Sequence, residues 1–328
     1  MRTFVRLVRP AILLVVIGLP SLAEAGSDSG TYYMNFPREM NRAYDVPGNR
    51  RFEADGSKGF VVTDNEDSPF NKAAVIWRSS KVIQLDENGN DAELLYEWAV
   101  IEIKDADGDM VFMFGDRKEG QEQSSRFIQG SGKYKGIVGN GDLGWDTVTE
   151  YPDGSVTRAY SMDWEISDNP DYGLPVPQEG DNYTHVTWIY RYPHELDEDY
   201  ENKDESRFDH HDEEGFMMSF DDPDSPFHDT QVFANTSILF APEGDFSDGL
   251  LFQWAICELT DTDGDQMFMF GQRGTGGRTA LWITGATGKF VGLRAVFDGF
   301  SDDFKGWPST WPGEPEVNPM PFYWAFDK

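Results

Sequence analysis

The sequence predicts an all-β protein built as two tandem domains, each a closed antiparallel barrel or a sandwich. Three observations carry this. The chain repeats itself once, each copy is a run of short apolar strands cut by Gly- and Asp-rich turns, and no segment holds a capped helical period.

The repeat has an offset of 156 residues. Arg51-Phe52 recurs as Arg207-Phe208, and Trp98-Ala99 as Trp254-Ala255. Asp107-Gly108-Asp109 recurs as Asp263-Gly264-Asp265, Phe112-Met113-Phe114-Gly115 as Phe268-Met269-Phe270-Gly271, and Gly132-Lys133 as Gly288-Lys289. Ser68-Pro69-Phe70 recurs as Ser225-Pro226-Phe227, one residue out of step. The period is too long for a solenoid unit, so it marks two domains.

Taken in order, residues 1–25 read as a secretory signal. Arg2, Arg6 and Arg9 precede the apolar stretch Ala11–Leu19, and Ala23-Glu24-Ala25 offers a small-residue cleavage site. The apolar stretch is too short to span a bilayer. A first domain over 26–168 follows, with strands expected at Ala73–Leu85, Leu94–Lys104, Met110–Phe114, Arg126–Ile128, Gly136–Val138, Thr147–Tyr151 and Ala159–Ile166. Each is rich in Val, Ile or aromatic residues and ends at a turn signal such as Asp107-Gly108 or Pro152-Asp153-Gly154. Asn169-Pro170 and Pro175-Val176-Pro177 place a linker at 169–181, and the second domain occupies 182–328. Within it, the acidic stretch Glu195–Glu214 reads as a solvated loop carrying His210-His211, and the Trp- and Pro-rich stretch Gly306–Trp324 reads as a loop, a lid or a sugar-stacking surface.

One segment in each half is more specific. Gly130-Ser131-Gly132-Lys133-Tyr134-Lys135-Gly136, with its partner Gly285-Ala286-Thr287-Gly288-Lys289-Phe290-Val291-Gly292, resembles the Gly-(Ser/Thr)-Gly-Lys-(Tyr/Phe)-x-Gly segment of the allene oxide cyclase barrel and of plant dirigent proteins. The second copy has one extra residue between its first two glycines. The resemblance covers roughly 70–166 and 227–326. It implies two tandem eight-stranded antiparallel β-barrels of calycin-like form with an apolar cavity, in a family whose members cyclise an oxidised fatty acid or steer the coupling of phenolic radicals. Independently of the resemblance, closely spaced glycines suit a sharp bend at a barrel corner.

Composition narrows the partners. The chain of 328 residues has 27 Lys+Arg against 59 Asp+Glu, a net charge of −32 that becomes −34 once the signal is removed. Such a field repels nucleic acid and anionic lipid. No nucleic-acid partner and no membrane insertion are expected, and the address is secreted or periplasmic. The single Cys257 excludes an internal disulfide and reads as a small buried residue.

The chemistry candidates lie on the hairpin Glu97–Arg117 and its copy. A two-residue turn at Asp107-Gly108 would set Glu102 opposite Met113 and Trp98 opposite Arg117. Trp98, Glu102, Met113 and Arg117 would then share one face, with Ala99, Ile101 and Ile103 against Phe112 and Phe114 on the other. In the second copy the corresponding residues are Trp254, Glu258, Met269 and Arg273, with the register left open. If the first face lines a cavity, Glu102 and Glu258 are acid–base candidates. Trp98, Met113, Arg117, Trp254, Met269 and Arg273 are then ligand contacts, the arginines neutralising an anionic head. If the Ile/Phe face fills the barrel, Trp98 and Arg117 stack outside. Asp105, Asp107 and Asp109, with Asp261, Asp263 and Asp265, form alternating carboxylates that suit either a calcium ion or a hairpin turn. No other cofactor is expected.

The function expected is binding of a small, mostly apolar molecule by a monomer or weak homodimer, with cyclase or isomerase activity if the protein is an enzyme. The alternative is an extracellular module that binds calcium or glycan without catalysis.

Overall fold

The computed structural model of the chain describes residues 25–36, 42–118, 123–145, 147–168, 170–191, 198–201, 207–219, 221–242, 249–274, 278–300 and 316–327. Two closed eight-stranded antiparallel barrels stand in tandem. Residues 1–24 of the stretch 1–25 read as a signal, and the tryptophans Trp307 and Trp311, lie outside the described residues.

The first barrel is formed by β1 (Ala25–Asn35), β3 (Arg50–Thr63), β4 (Ala74–Leu85), β5 (Asp91–Lys104), β6 (Met110–Arg117), β7 (Ser124–Gly130), β8 (Ile137–Asp142) and β10 (Val156–Ile166). Strand β1 pairs with β10 on one side and with the second half of β3 on the other, which closes the sheet. Short strands β2 (Arg42–Val46) and β9 (Thr147–Glu150) add to β3 and β10. The second barrel repeats this with β11 (Asn182–Arg191), β13 (Arg207–Ser219), β14 (Thr230–Phe240), β15 (Leu250–Thr260), β16 (Gln266–Gly274), β17 (Arg278–Ala286), β18 (Leu293–Phe300) and β19 (Glu316–Phe326). Strand β11 closes it by pairing with β19 and β13, and β12 (Glu198–Glu201) adds to β13. Among the described residues, closure leaves no long unpaired edge in a chain that has no disulfide to staple one.

The repeated Ser-Pro-Phe segments plug the barrel ends. Ser68 Oγ accepts the Phe70 N–H at 3.1 Å and donates to Asp28 Oδ2 at 2.6 Å, turning Phe70 inward. Phe70 stacks on Tyr134, centroids 5.3 Å apart, and meets Trp164 edge-on. In the second barrel Ser225 accepts the Phe227 N–H and Phe227 packs on Phe322 at 4.7 Å. The first barrel is filled by Tyr32, Phe70, Trp77, Phe127, Tyr134 and Tyr160, with methionines between them. The second has fewer rings, Trp188, Phe227, Phe290, Phe297 and Phe322, with Met217, Met267, Met269, Met320 and Cys257 between them. Burial pushes the Cys257 thiol well above its usual range, so it is inert packing.

The acidic stretch around His210 departs from the loop expected there. Much of it is strand: Glu198–Glu201 in β12 and Arg207–Ser219 in β13. Phe208 is fully buried, His210 is 1 % exposed and donates or accepts at Ser237 Oγ (2.7 Å), and Glu213 turns inward to accept Thr236 Oγ1 at 2.9 Å. Alternate positions are buried on both faces of the strand, which overrides the high local charge.

Candidate functional site

The tip of the β5–β6 hairpin decides which side chains of the two strands share a face. Asp105 N–H donates to Asp109 O at 3.0 Å and Gly108 N–H to Asp105 O at 3.2 Å, so the loop holds three residues, Ala106 to Gly108. Gly108, at φ +98°, supplies the left-handed residue that such a loop requires. The two-residue turn is therefore corrected by one position. Glu102 lies opposite Phe112, Val100 opposite Phe114, Trp98 opposite Asp116, and Glu97 opposite Arg117. A one-residue slip exchanges the faces of one strand relative to the other. Met113 packs inward with Ile101, while Trp98 packs outward with Phe112 and Phe114. Strand alternation puts Arg117 on the side of Met113 and Glu102 on the side of Trp98. The second hairpin has the same register, with Trp254 opposite Gln272 and Glu258 opposite Phe268. Met269 packs inward and Trp254 outward. The single Trp–Glu–Met–Arg face expected from sequence is thus divided between two surfaces.

The Asp-rich turn and the Gly-Lys-Tyr segment, read separately in the sequence, form one clasp. Asp105 Oδ1 accepts the backbone N–H groups of Asp107, Gly108 and Asp109 at 2.8, 2.9 and 3.0 Å. Lys133 Nζ reaches Asp105 at 2.7 Å and Asp107 at 3.0 Å, and Tyr134 Oη donates to Asp105 Oδ2 at 3.1 Å. A side chain at Gly132 would collide with the Asp109 carboxylate, and Gly132 is at φ +51°. Burial alone would raise the Asp105 pKa, but the hydrogen bonds from Lys133, Tyr134 and the turn outweigh it and hold the carboxyl below its ordinary value. The second copy keeps Lys289 on Asp261 and Asp263, but Phe290 has no hydroxyl for Asp261. In both turns a lysine supplies positive charge between the carboxylates proposed for calcium. Among the described residues no group of three or more His, Cys, Asp or Glu side chains is placed to hold a metal ion.

The outward faces of the two hairpins pack against each other. Phe114 stacks on Phe270 with centroids 4.2 Å apart, Phe112 meets Phe252 at 5.0 Å, and Tyr96 meets Phe268 at 5.1 Å. Each fully buried ring contributes about 1.5–3 kcal/mol. Glu102 and Glu258 lie in or beside this contact, 2 % and 3 % exposed, and Trp254 Nε1 donates to Glu102 Oε1 at 3.2 Å. At the rim, Arg50 of the first barrel docks on the second clasp. It donates to Thr287 Oγ1 at 2.6 Å and to Gly264 O at 2.9 Å, and pairs with Asp265 at 3.2 Å. Trp98, Trp254, Glu102 and Glu258 therefore belong to the joint between barrels.

Arg117 opens onto a different place. It lines a cleft of about 570 Å³ at the mouth of the first barrel, together with Asp55, Lys81, Glu97, Lys118 and Arg158. Arg117 Nε and Nη2 both meet Glu97 Oε2 at 2.7 Å, and its guanidinium lies 5.1 Å over the Trp145 ring. Arg158 lies 4.8 Å over Trp77. Lys81 pairs with Glu53 at 2.7 Å and sits 3.8 Å from Asp55. Burial raises the Asp55 pKa despite Lys81 and Arg158, with Glu53 adding to the rise. Glu53 moves the other way, because its hydrogen bonds from Lys81 and Arg51 overcome its burial. Ile83 and Leu94 give the cleft an apolar wall.

Only Arg117 of the sequence candidates reaches this cleft; Met113 is core. Asp55, Lys81, Glu97 and Arg158 were missed. The available signal was alternation: Glu53, Asp55, Lys81, Glu97 and Arg117 all occupy inward positions on neighbouring strands, where a plain core would carry apolar residues. Comparison with family models, curated proteins and solved structures finds no match to the chain.

Proposed function

We propose that the protein binds a small amphipathic molecule at the mouth of its first barrel, anionic head inward on Arg117, Arg158 and Lys81, apolar body against Ile83 and Leu94. One observation carries this reading. In a chain of net charge −32, the side chains of three cations, Arg117, Arg158 and Lys81, converge on one cleft, two of them held over tryptophan faces. Part-buried guanidinium groups held over aromatic rings suit a carboxylate or a similar planar anion. The acids that line the same cleft balance the cations when no ligand is present, so a ligand anion has to exchange with Glu97 for the Arg117 fork.

The reading is of a binder. The acid–base candidates Glu102 and Glu258 sit between the barrels, and the first barrel is filled by aromatic rings. The resemblance to allene oxide cyclases is supported by strand number and closure, and it favours a ligand in the barrel over one on its outer wall. Export, expected from the first 25 residues, would place this binder outside the cytoplasm.

Titration calorimetry with medium-chain carboxylates and the matching alcohols tests the proposal. The carboxylates are expected to bind, the alcohols to bind at least about tenfold more weakly, a difference of about 1.4 kcal/mol. Arg117→Ala should abolish the difference and Arg273→Ala should leave it. Equal binding of acid and alcohol, or equal loss from both variants, would sink the reading.

A further inference from the structure

We infer that the face by which the first barrel holds the second is complementary to itself, so that the partner it fits is a second copy of this chain's own first barrel. The ring contacts across the joint obey a two-fold relation under the 156-residue offset. Phe114 and Phe270 are equivalent positions, and they stack on each other, which puts them on the axis. Arg126 and Trp282 hold equivalent strand positions too, since each lies next to the residue paired with Met113 or Met269, and the Arg126 guanidinium lies 5.7 Å over Trp282. The off-axis contacts come in reciprocal pairs. Phe112 with Phe252 maps onto Phe268 with Tyr96, and both contacts are made, at 5.0 and 5.1 Å. This is the residue-i-to-j, j-to-i pattern of an isologous dimer interface, here built within one chain.

The first barrel carries both halves of the Phe–Phe and Phe–Tyr contacts. In a pair of first barrels, Phe114 would meet its own copy and Tyr96 would meet Phe112 twice. Trp98 would stand where Trp254 stands beside Glu102; its Nε1, buried and without a hydrogen-bond partner among the described residues, would gain one. Arg50 would dock twice on the first clasp, whose Asp109 and Ser131 replace Asp265 and Thr287. The second barrel has Ser206 at the position of Arg50, so the two faces are not equal. One feature opposes the like pairing: Arg126 would face Arg126 across the axis, each in the field of its own Asp116. The native pairing replaces that contact with Arg126 over Trp282, which makes the unlike pair the preferred one.

The experiment uncovers the face in the full chain. Phe268 and Phe270 point outward from β16, away from the core residues Met267 and Met269, so Phe268→Asp/Phe270→Asp disables the second barrel's face and leaves its interior intact. This chain is expected to dimerise with concentration, doubling in mass by ultracentrifugation. Adding Phe114→Cys should give a 114–114 disulfide on oxidation, since Cys257 is buried and cannot compete. Adding Arg126→Gln should tighten the dimer severalfold, and adding Phe112→Asp should return it to monomer. If the charged chain fails to fold, Phe268→Ala/Phe270→Ala carries the same expectation. A folded chain that stays monomeric to about 100 µM, and that forms no 114–114 crosslink when Phe114→Cys is added, overturns the inference.

Discussion

The two barrels descend from one sequence pattern, yet their mouths differ. In the first, Lys81, Glu97 and Arg117 stand at inward positions beside one another, over Trp77 and next to Ser57. In the second, the same cross-strand positions hold Ile238, Gln253 and Arg273, with Ala234 for Trp77 and Glu213 for Ser57. Only the arginine is common to both. Burial lowers the Arg273 pKa, whereas Arg117 is met by Glu97 at 2.7 Å. The clasp and the Phe plug, by contrast, are kept in both copies. What closes the barrel has been retained, and what opens to solvent has been free to diverge.

The largest effects test whether the retained parts are equivalent. Phe70→Ala and Phe227→Ala each remove a fully buried ring from a barrel end, and each should cost about 3–5 kcal/mol in chemical denaturation. A cost in one barrel alone would break the equivalence. At the joint, Trp254→Phe takes away the N–H that Glu102 accepts, whereas Trp98→Phe removes an N–H with no partner among the described residues. The first is expected to cost about 1–3 kcal/mol more than the second. The clasps allow a reciprocal exchange. Tyr134→Phe deletes the hydroxyl on Asp105 and should cost about 1 kcal/mol, while Phe290→Tyr offers the same hydroxyl to Asp261 and should be neutral or stabilising.

The smallest effects appear in pH dependence, and the two ends of the first barrel should differ in sign. Asp105 has a lowered folded pKa, so it contributes stability above the unfolded value of about 3.9, lost as pH falls through the folded value. Asp105→Asn should therefore lower the melting temperature at neutral pH and flatten its acid limb. Asp55 has a raised folded pKa, so its ionised form is disfavoured by folding and stability is gained as pH falls through that value. Asp55→Asn should leave melting unchanged or raise it slightly near pH 7. If both variants shift melting in the same direction, the contrast between clasp and cleft is wrong.

Legibility in the sequence followed chemistry that acts locally. The Asp-Gly turn, the Gly-Lys-Tyr corner and the strands Ala74–Leu85 and Asp91–Lys104 could be read because turn conformation and strand alternation are set by neighbours in sequence. Strands β1 and β3 are not legible in the sequence, since their polar, Gly-rich stretches, such as Asp55-Gly56-Ser57-Lys58-Gly59, resemble loop composition. Two of those glycines serve closure. A side chain at Gly59 would strike the Tyr33 carbonyl and one at Gly30 the Val62 carbonyl, where β1 and β3 cross.

By itself the sequence determined the β class, the duplication and the place of the turns, though not the length of the Asp-Gly turn, because each is written in residues close together or in exact recurrence. Tertiary structure alone decided which face of β5 and β6 is the inside. Both faces of that hairpin are apolar, because one fills a barrel and the other meets a second barrel, so hydrophobic pattern could not choose between them. The extra turn residue set only the register, putting Met113 and Arg117 on the face opposite Trp98 and Glu102. Packing of one barrel on the other then placed Glu102 and Glu258 in the joint and left Arg117 with Glu97 at the open mouth.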